Sequence, residues 1–189
     1  MLCDPLPNFE NSPVLAEASV QLRLVMLYVA TETDMPVIVE LFKEEISPYM
    51  DVSSSLDSFK EMLSSFAASS VSQAFVVKFG EHTLFEIEVH AALVHFLSIG
   101  SFTPAKGDYY ISLLAGDFDR AEFPIYVLGL QLCLDYFWKF PEVQRIVARV
   151  STGAIEERKA RLFKEAGLEV PPEITDPSQA ELFLLSRVM

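Results

Sequence analysis

Apolar and polar positions along the chain repeat with two periods, and the switches between them predict the elements. LRLVMLYVA, Leu22 to Ala30, is apolar without a helical repeat and predicts a strand. TETDMPVIVELFKEEI follows as a helix. Thr31 or Thr33 offers its cap oxygen, Asp34 lies in the positive first turn, and Pro36 is tolerated there. SLDSFKEMLSSFAAS places Leu56, Phe59, Met62, Leu63 and Phe66 at helical spacing. In QAFVVKFGEHTLFEIEVH two extended runs flank Gly80-Glu81, the pattern of a hairpin. Its second run alternates, with Phe85, Ile87 and Val89 on one side and Glu86, Glu88 and His90 on the other. Asp108 to Leu114 is a further strand. Phe123 to Lys139 is a helix apolar nearly all round, which predicts cover on most sides. Gln144 to Val150 is a strand, IEERKARLFKEAGL an amphipathic helix ended by Gly167, and Leu182 to Val188 a last strand.

The order is strand, two helices, three strands, helix, strand, helix, strand. It predicts an α/β (α+β) domain with a mixed, mostly antiparallel sheet and helices on both faces. Residues 1–19 hold three prolines and no clear period, and read as an N-terminal arm ahead of a domain spanning 20–189. At 189 residues one domain with a sizeable core is expected.

Composition narrows the function classes. The chain is 51% hydrophobic with mean hydropathy +0.29. Its longest uncharged apolar run, Phe123 to Leu134, is too short to cross a bilayer, so no membrane span is expected. A net charge of −13 argues against nucleic acid, which rewards clustered lysine and arginine. The start of the chain shows no secretory signal pattern. Cys3 and Cys133 form no disulfide framework, and Cys133 sits between leucines as a small buried hydrophobe, so a reducing cytoplasm is expected. The apolar excess leaves room for a homodimer interface.

Candidate chemistry lies in three places. Glu88 beside His90 could take a proton from an amine, although an antiparallel strand more commonly turns such a face to solvent. A metal site is not expected, because nothing fixes His95 relative to His90 and Glu88. Seven of the 14 lysines and arginines lie between Lys139 and Lys164, either as an anion patch or as a solvated helix laced by Glu157–Arg161 and Arg161–Glu165 pairs. Finally, YYISLLAGDFDRAEFPIYVLGL runs from strand through loop to helix start, the arrangement of a phosphate cradle, yet no glycine stands between Asp117 and Val127.

GDYYISLLAGD before the apolar helix and RLFKEAGLE near the end, taken with the element order, resemble the GCN5-related N-acetyltransferase (GNAT) superfamily over roughly residues 20 to 189. LFEIEVH, ISLLAGD, and PEVQRIVARV leading into ERKARLFKEAG are most similar to the hydroxylysine acetyltransferases of siderophore assembly. The resemblance implies a sheet splayed between the superfamily's fourth and fifth strands, here Asp108–Leu114 and Arg145–Val150. Acetyl-CoA or another acyl-CoA would lie there as donor, with a small amine or hydroxylamine as acceptor. It places the donor against Leu113, Leu114, Ala115 and Gly116, its phosphates near Arg120, Tyr126 and Arg158, and Ser112, Ser151, His90 and Glu88 beside the acceptor.

The chain departs from the family at specific points. The family's glycine-rich pyrophosphate loop aligns with DRAEFPIY, where Glu122, Pro124 and Tyr126 hold the glycine positions. Pro124 has no amide hydrogen, and Phe123, Ile125 and Tyr126 add bulk. Asp117, Asp119 and Glu122 surround Arg120. An acid about 4 Å from a phosphate costs on the order of a few kcal/mol at an effective dielectric of 20, against a helix dipole of about half a unit charge. Ser112 stands where the siderophore group has a histidine, Ser151 where it has an acid. Phe163 replaces the tyrosine that protonates the leaving thiolate, and Glu156 an asparagine. Two readings follow: an acyl-CoA-dependent N-acyltransferase, or a non-catalytic binding or interaction module on the same fold.

Overall fold

The computed structural model describes residues 14–20, 23–46, 52–66, 68–92, 103–150, 154–170 and 181–186. In chain order the elements are β1 Ala16–Val20, β2 Arg23–Val29, a 3-10 turn Glu32–Asp34, α1 Met35–Ile46, α2 Val52–Phe66, β3 Ser72–Phe79 and β4 His82–Ala91. Then come β5 Asp108–Leu114, α3 Phe123–Phe137, β6 Arg145–Val150, α4 Ala154–Glu165 and β7 Glu181–Ser186.

The seven strands form one sheet whose spatial order equals their order in the chain. Every neighbouring pair is antiparallel except β5–β6, which α3 joins as a parallel crossover. The family's fourth and fifth strands are therefore β5 and β6, because β1 adds one strand ahead of them. Within the region read as an arm, residues 16–20 pair with β2 from Ala16↔Leu27 to Val20↔Arg23. AEASV does alternate, with Ala16, Ala18 and Val20 half-buried and Glu17 and Ser19 exposed, but it is only five residues long and its inward side chains are small.

Two cores cover the two faces. On one, Phe75, Val77, Phe85, Ile87, Ile111 and Leu113 pack under Tyr126, Leu130, Leu134 and Phe137 of α3 and Leu162 and Phe163 of α4. On the other, Ile38 and Leu41 of α1 and Phe59, Leu63 and Phe66 of α2 cover Ala74, Val76 and Leu114. α3 is apolar round its circumference because it contacts α4 as well as the sheet. Gly129 lets it approach closely: a Cβ there would lie 2.9 Å from Val77 Cγ1 and 3.1 Å from Phe85 Cε1. Cys133 is fully buried in this layer, as a small hydrophobe, and burial pushes its thiol far up. At the α4 end, Leu168 N–H donates to Phe163 O and Gly167 takes φ +104, the conformation of the predicted glycine cap.

The β5–β6 pair is fixed at one end and open at the other. Arg145 binds Asp108 twice, Nε to Oδ1 at 2.7 Å and Nη2 to Oδ2 at 2.5 Å, while Gly107 O accepts the Gln144 and Arg145 amides. Pairing runs from Asp108↔Arg145 to Ile111↔Ala148 and stops there, although β5 continues to Leu114 and β6 to Val150. The sheet splays beyond that point, as the GNAT resemblance implied.

Candidate active site

Alternation along β4 sends Phe85, Ile87 and Val89 into the α3-side core and Glu86, Glu88 and His90 to the opposite face. That polar face is not solvated. α1 lies over β4 and β5, and the three side chains are buried, with 1%, 8% and 4% exposure. Register lines them up with their neighbours: Ser72, His90 and Tyr110 in one row, Ala74, Glu88 and Ser112 in the next, Val76, Glu86 and Leu114 in the third.

Buried polar groups must find partners, and most do here. His90 Nε2 lies 3.1 Å from Glu88 Oε2 and Nδ1 lies 2.9 Å from Ser72 Oγ. A carboxylate only accepts, so Nε2 donates to Glu88, and Nδ1 shares its hydrogen bond with the Ser72 hydroxyl. Phe66 meets the imidazole edge-on at 5.6 Å, and Tyr110 lies parallel to it at 5.9 Å. Burial, then the Glu88 charge, raises the Tyr110 phenol, whose side chain bonds Ser112. Glu86 Oε1 has no hydrogen-bond partner among the described residues. Burial, then the charges of Glu88 and Glu45, lifts its carboxyl well above the usual range. On the same sheet face a cavity of about 110 Å³ runs between α1 and α2, lined by Thr31, Met35, Ile38, Phe66 and Ala74 among others. Its lining residues Phe66 and Ala74 neighbour His90 and Glu88, which do not themselves line it.

The other side of the opening is closed by α1. Ala115 N–H, at the end of β5, donates to Glu45 Oε1 at 2.8 Å. Glu45 Oε2 pairs with Lys159 of α4 at 2.8 Å, and Lys159 also meets Glu156 at 3.0 Å. Burial raises the Glu45 carboxyl in spite of that lysine. Arg120 takes the neighbouring carboxylate in a two-pronged pair, Nη1 to Glu44 Oε2 at 2.9 Å and Nη2 to Oε1 at 2.6 Å. Gly116, at φ +59, is packed against it: an added Cβ would lie 2.0 Å from Glu44 Oε2.

Each residue singled out by the sequence has a definite place. Ser112 is half-buried beside Glu88, while Ser151 lies outside the described residues, as does His95. Leu113 and Leu114 are buried in the two opposite cores, and Ala115 and Gly116 face the α1 carboxylates. Tyr126 is not at the surface of the loop. It is 0% exposed under Phe85 and Phe118, and its hydroxyl accepts the Arg120 amide at 3.1 Å. Arg158 is exposed and donates to Asp117 O. At the helix start, Ile125 N–H donates to Glu122 O and Pro124 has no amide hydrogen to donate. No group of three or more metal-ligating side chains occurs among the described residues, and none of their helices is long and apolar enough to cross a membrane.

The residues missed from sequence are Glu44 and Glu45. They end an amphipathic helix in KEE, a pattern that reads as a solvated terminus, and their partners lie 70 to 114 positions away. The Lys159 signal was present in the basic cluster, without its destination.

No family model and no curated protein matches the sequence. Solved structures do match in fold. An uncharacterized protein from Bacillus halodurans superposes with a TM-score of 0.67 at 19% identity, over 92% of this chain and 91% of that one. An aminoglycoside acetyltransferase, AAC(6')-Ib in complex with coenzyme A and kanamycin, gives 0.65 at 17%, over 86% and 95%. Spermidine N-acetyltransferase from Vibrio cholerae, in complex with CoA and spermine, gives 0.63 at 14%, over 86% and 95%. The chain therefore has the GNAT fold, a single α+β domain.

Proposed function

We propose that the protein is an acyl-CoA-dependent N-acyltransferase acting on a small amine or hydroxylamine. The observation that carries this reading is the juxtaposition of the β5–β6 opening with a buried Glu88–His90 pair in register with Ser112. Acyl transfer joins the acceptor nitrogen to the acyl carbon, breaks the acyl C–S bond so that coenzyme A leaves as a thiolate that takes its proton from water, and removes one proton from the nitrogen. Glu88 is the group suited to receive it. His90, held by Ser72 and stacked on Tyr110, fixes the carboxylate's orientation and shares its charge. The cavity behind Phe66 and Ala74 suits an acceptor with a short apolar stem. Thiol release from acetyl-CoA, measured against a diamine, a polyamine, an aminoglycoside and an N-hydroxylated lysine, tests the reading. Transfer to at least one acceptor, slowed about 10²- to 10⁴-fold by Glu88→Gln, is expected. No transfer at millimolar acetyl-CoA would refute it.

A second reading, a non-catalytic binding or interaction protein on the same fold, has its own observation. The donor-side groups Ala115 N–H, Gly116 and Arg120 are all engaged by α1, and Phe163, where the family carries a proton-donating tyrosine, is buried in the core. In this arrangement the loop does not fit a pyrophosphate. Absence of both acyl transfer and CoA binding would favour this reading.

A further inference from the structure

We infer that the last turn of α1 is an internal plug, in which the carboxylates of Glu44 and Glu45 stand where the anionic acyl donor must enter. The inference rests on the acyltransferase reading and concerns how its donor site is regulated.

Three kinds of group could bind a nucleotide thioester at this opening: backbone amides at the end of β5, a glycine that lets phosphate approach, and cations. Each is engaged by α1. Glu45 takes the Ala115 amide and, through its other oxygen, Lys159. It thereby ties α1 to α4 across the place where β5 and β6 have parted. Glu44 takes both terminal nitrogens of Arg120 and lies against Gly116 so closely that a single Cβ would not fit. A carboxylate paired with a guanidinium beside a positive-φ glycine has the charge and donor set of a phosphate held at the same spot. Lys159 and the Glu45 side chain are nearly buried, at 10% and 13%, whereas Arg120 and Glu44 are more open, at 16% and 27%. The plug thus has an inner half, Glu45, facing the thioester end of a donor, and an outer half, Glu44, facing its phosphates.

A donor with phosphates must displace both carboxylates, while one without them must displace Glu45 alone. Acetyl-CoA and the phosphate-free thioester S-acetyl-N-acetylcysteamine separate these cases in calorimetric titrations of wild type, Glu44→Gln, Glu45→Gln and the double variant. The amide keeps the shape and removes the charge. Glu44→Gln is expected to tighten acetyl-CoA binding at least tenfold and to leave the short thioester unchanged. Glu45→Gln is expected to tighten both. Glu44→Gln lies at the more open edge and leaves Lys159 paired, so it remains informative if Glu45→Gln fails to fold. Wild type binding acetyl-CoA as tightly as folded variants would overturn the plug and leave the acyltransferase reading standing. No binding of either thioester by any variant would overturn both.

Discussion

Glu86 offers the sharpest thermodynamic test of the buried acidic face. Its side chain sits between Val76 and Leu114 in register, 1% exposed, with Oε1 unpartnered among the described residues. Burial, then Glu88 and Glu45, lifts its carboxyl well above the ordinary 4.5. In the unfolded chain the same carboxyl loses its proton near that ordinary value. Above it, the folded state binds one proton more than the unfolded state, so stability falls as pH rises until the folded group itself ionises. The slope approaches about 1.4 kcal/mol per pH unit for one fully differential proton. Glu86→Gln keeps the shape, removes the titration and leaves one amide beside Glu88. Urea unfolding of both proteins at half-unit steps from pH 4 to pH 8 is the assay. At pH 4 the two should agree within about 1 kcal/mol. Towards pH 8 the variant should become progressively the more stable, and each kcal/mol should read as roughly 2–4 °C in Tm for a domain of this size. A stability difference that stays flat across the range, or that favours wild type more as pH rises, would refute the claim that a proton is held at this site.

Other positions give independent checks. Gly129→Ala gains about 1 kcal/mol of helix propensity but forces a methyl against Val77 and Phe85, where overpacking costs about 1–3 kcal/mol. A Tm lower by several degrees is expected, and a raised Tm would contradict the close α3–sheet approach. Asp108→Asn breaks the two-pronged pair that closes the parallel end of β5–β6. A loss of about 1–3 kcal/mol, with faster hydrogen exchange at the Gln144 and Arg145 amides, is expected. Tyr126→Phe removes the acceptor of the Arg120 amide and should cost about 1 kcal/mol with little change in packing, measured by thermal unfolding.

Much of the fold was legible because its elements carry strong local patterns. β5 and the start of α3 fall where the run DYYISLL and Pro124 place them, and Gly80 and Gly167 mark the hairpin and the helix end. β1 was not, because AEASV is a five-residue edge strand whose inward face, Ala16, Ala18 and Val20, is built of small side chains. On β4, alternation assigned Glu86, Glu88 and His90 to one face, but not what covers it. That depends on α1 folding over the strand, a contact no single-sequence period encodes. The donor side illustrates the same limit. The acids around Arg120 in the sequence are Asp117, Asp119 and Glu122, yet the carboxylate that binds it is Glu44, 76 positions away. Tyr126 was read at the ligand surface because the family resemblance puts its loop there, whereas its place in α3 turns it inward to Phe85.

A crystal structure of the Glu44→Gln/Glu45→Gln variant grown with acetyl-CoA tests the central claim most directly. The account predicts thioester density in the opening beyond Ile111 and Ala148, with Ala115 N–H donating to the ligand and Arg120 turned to its phosphates. An opening still bridged to α1, with no ligand or with the ligand bound elsewhere, would contradict it.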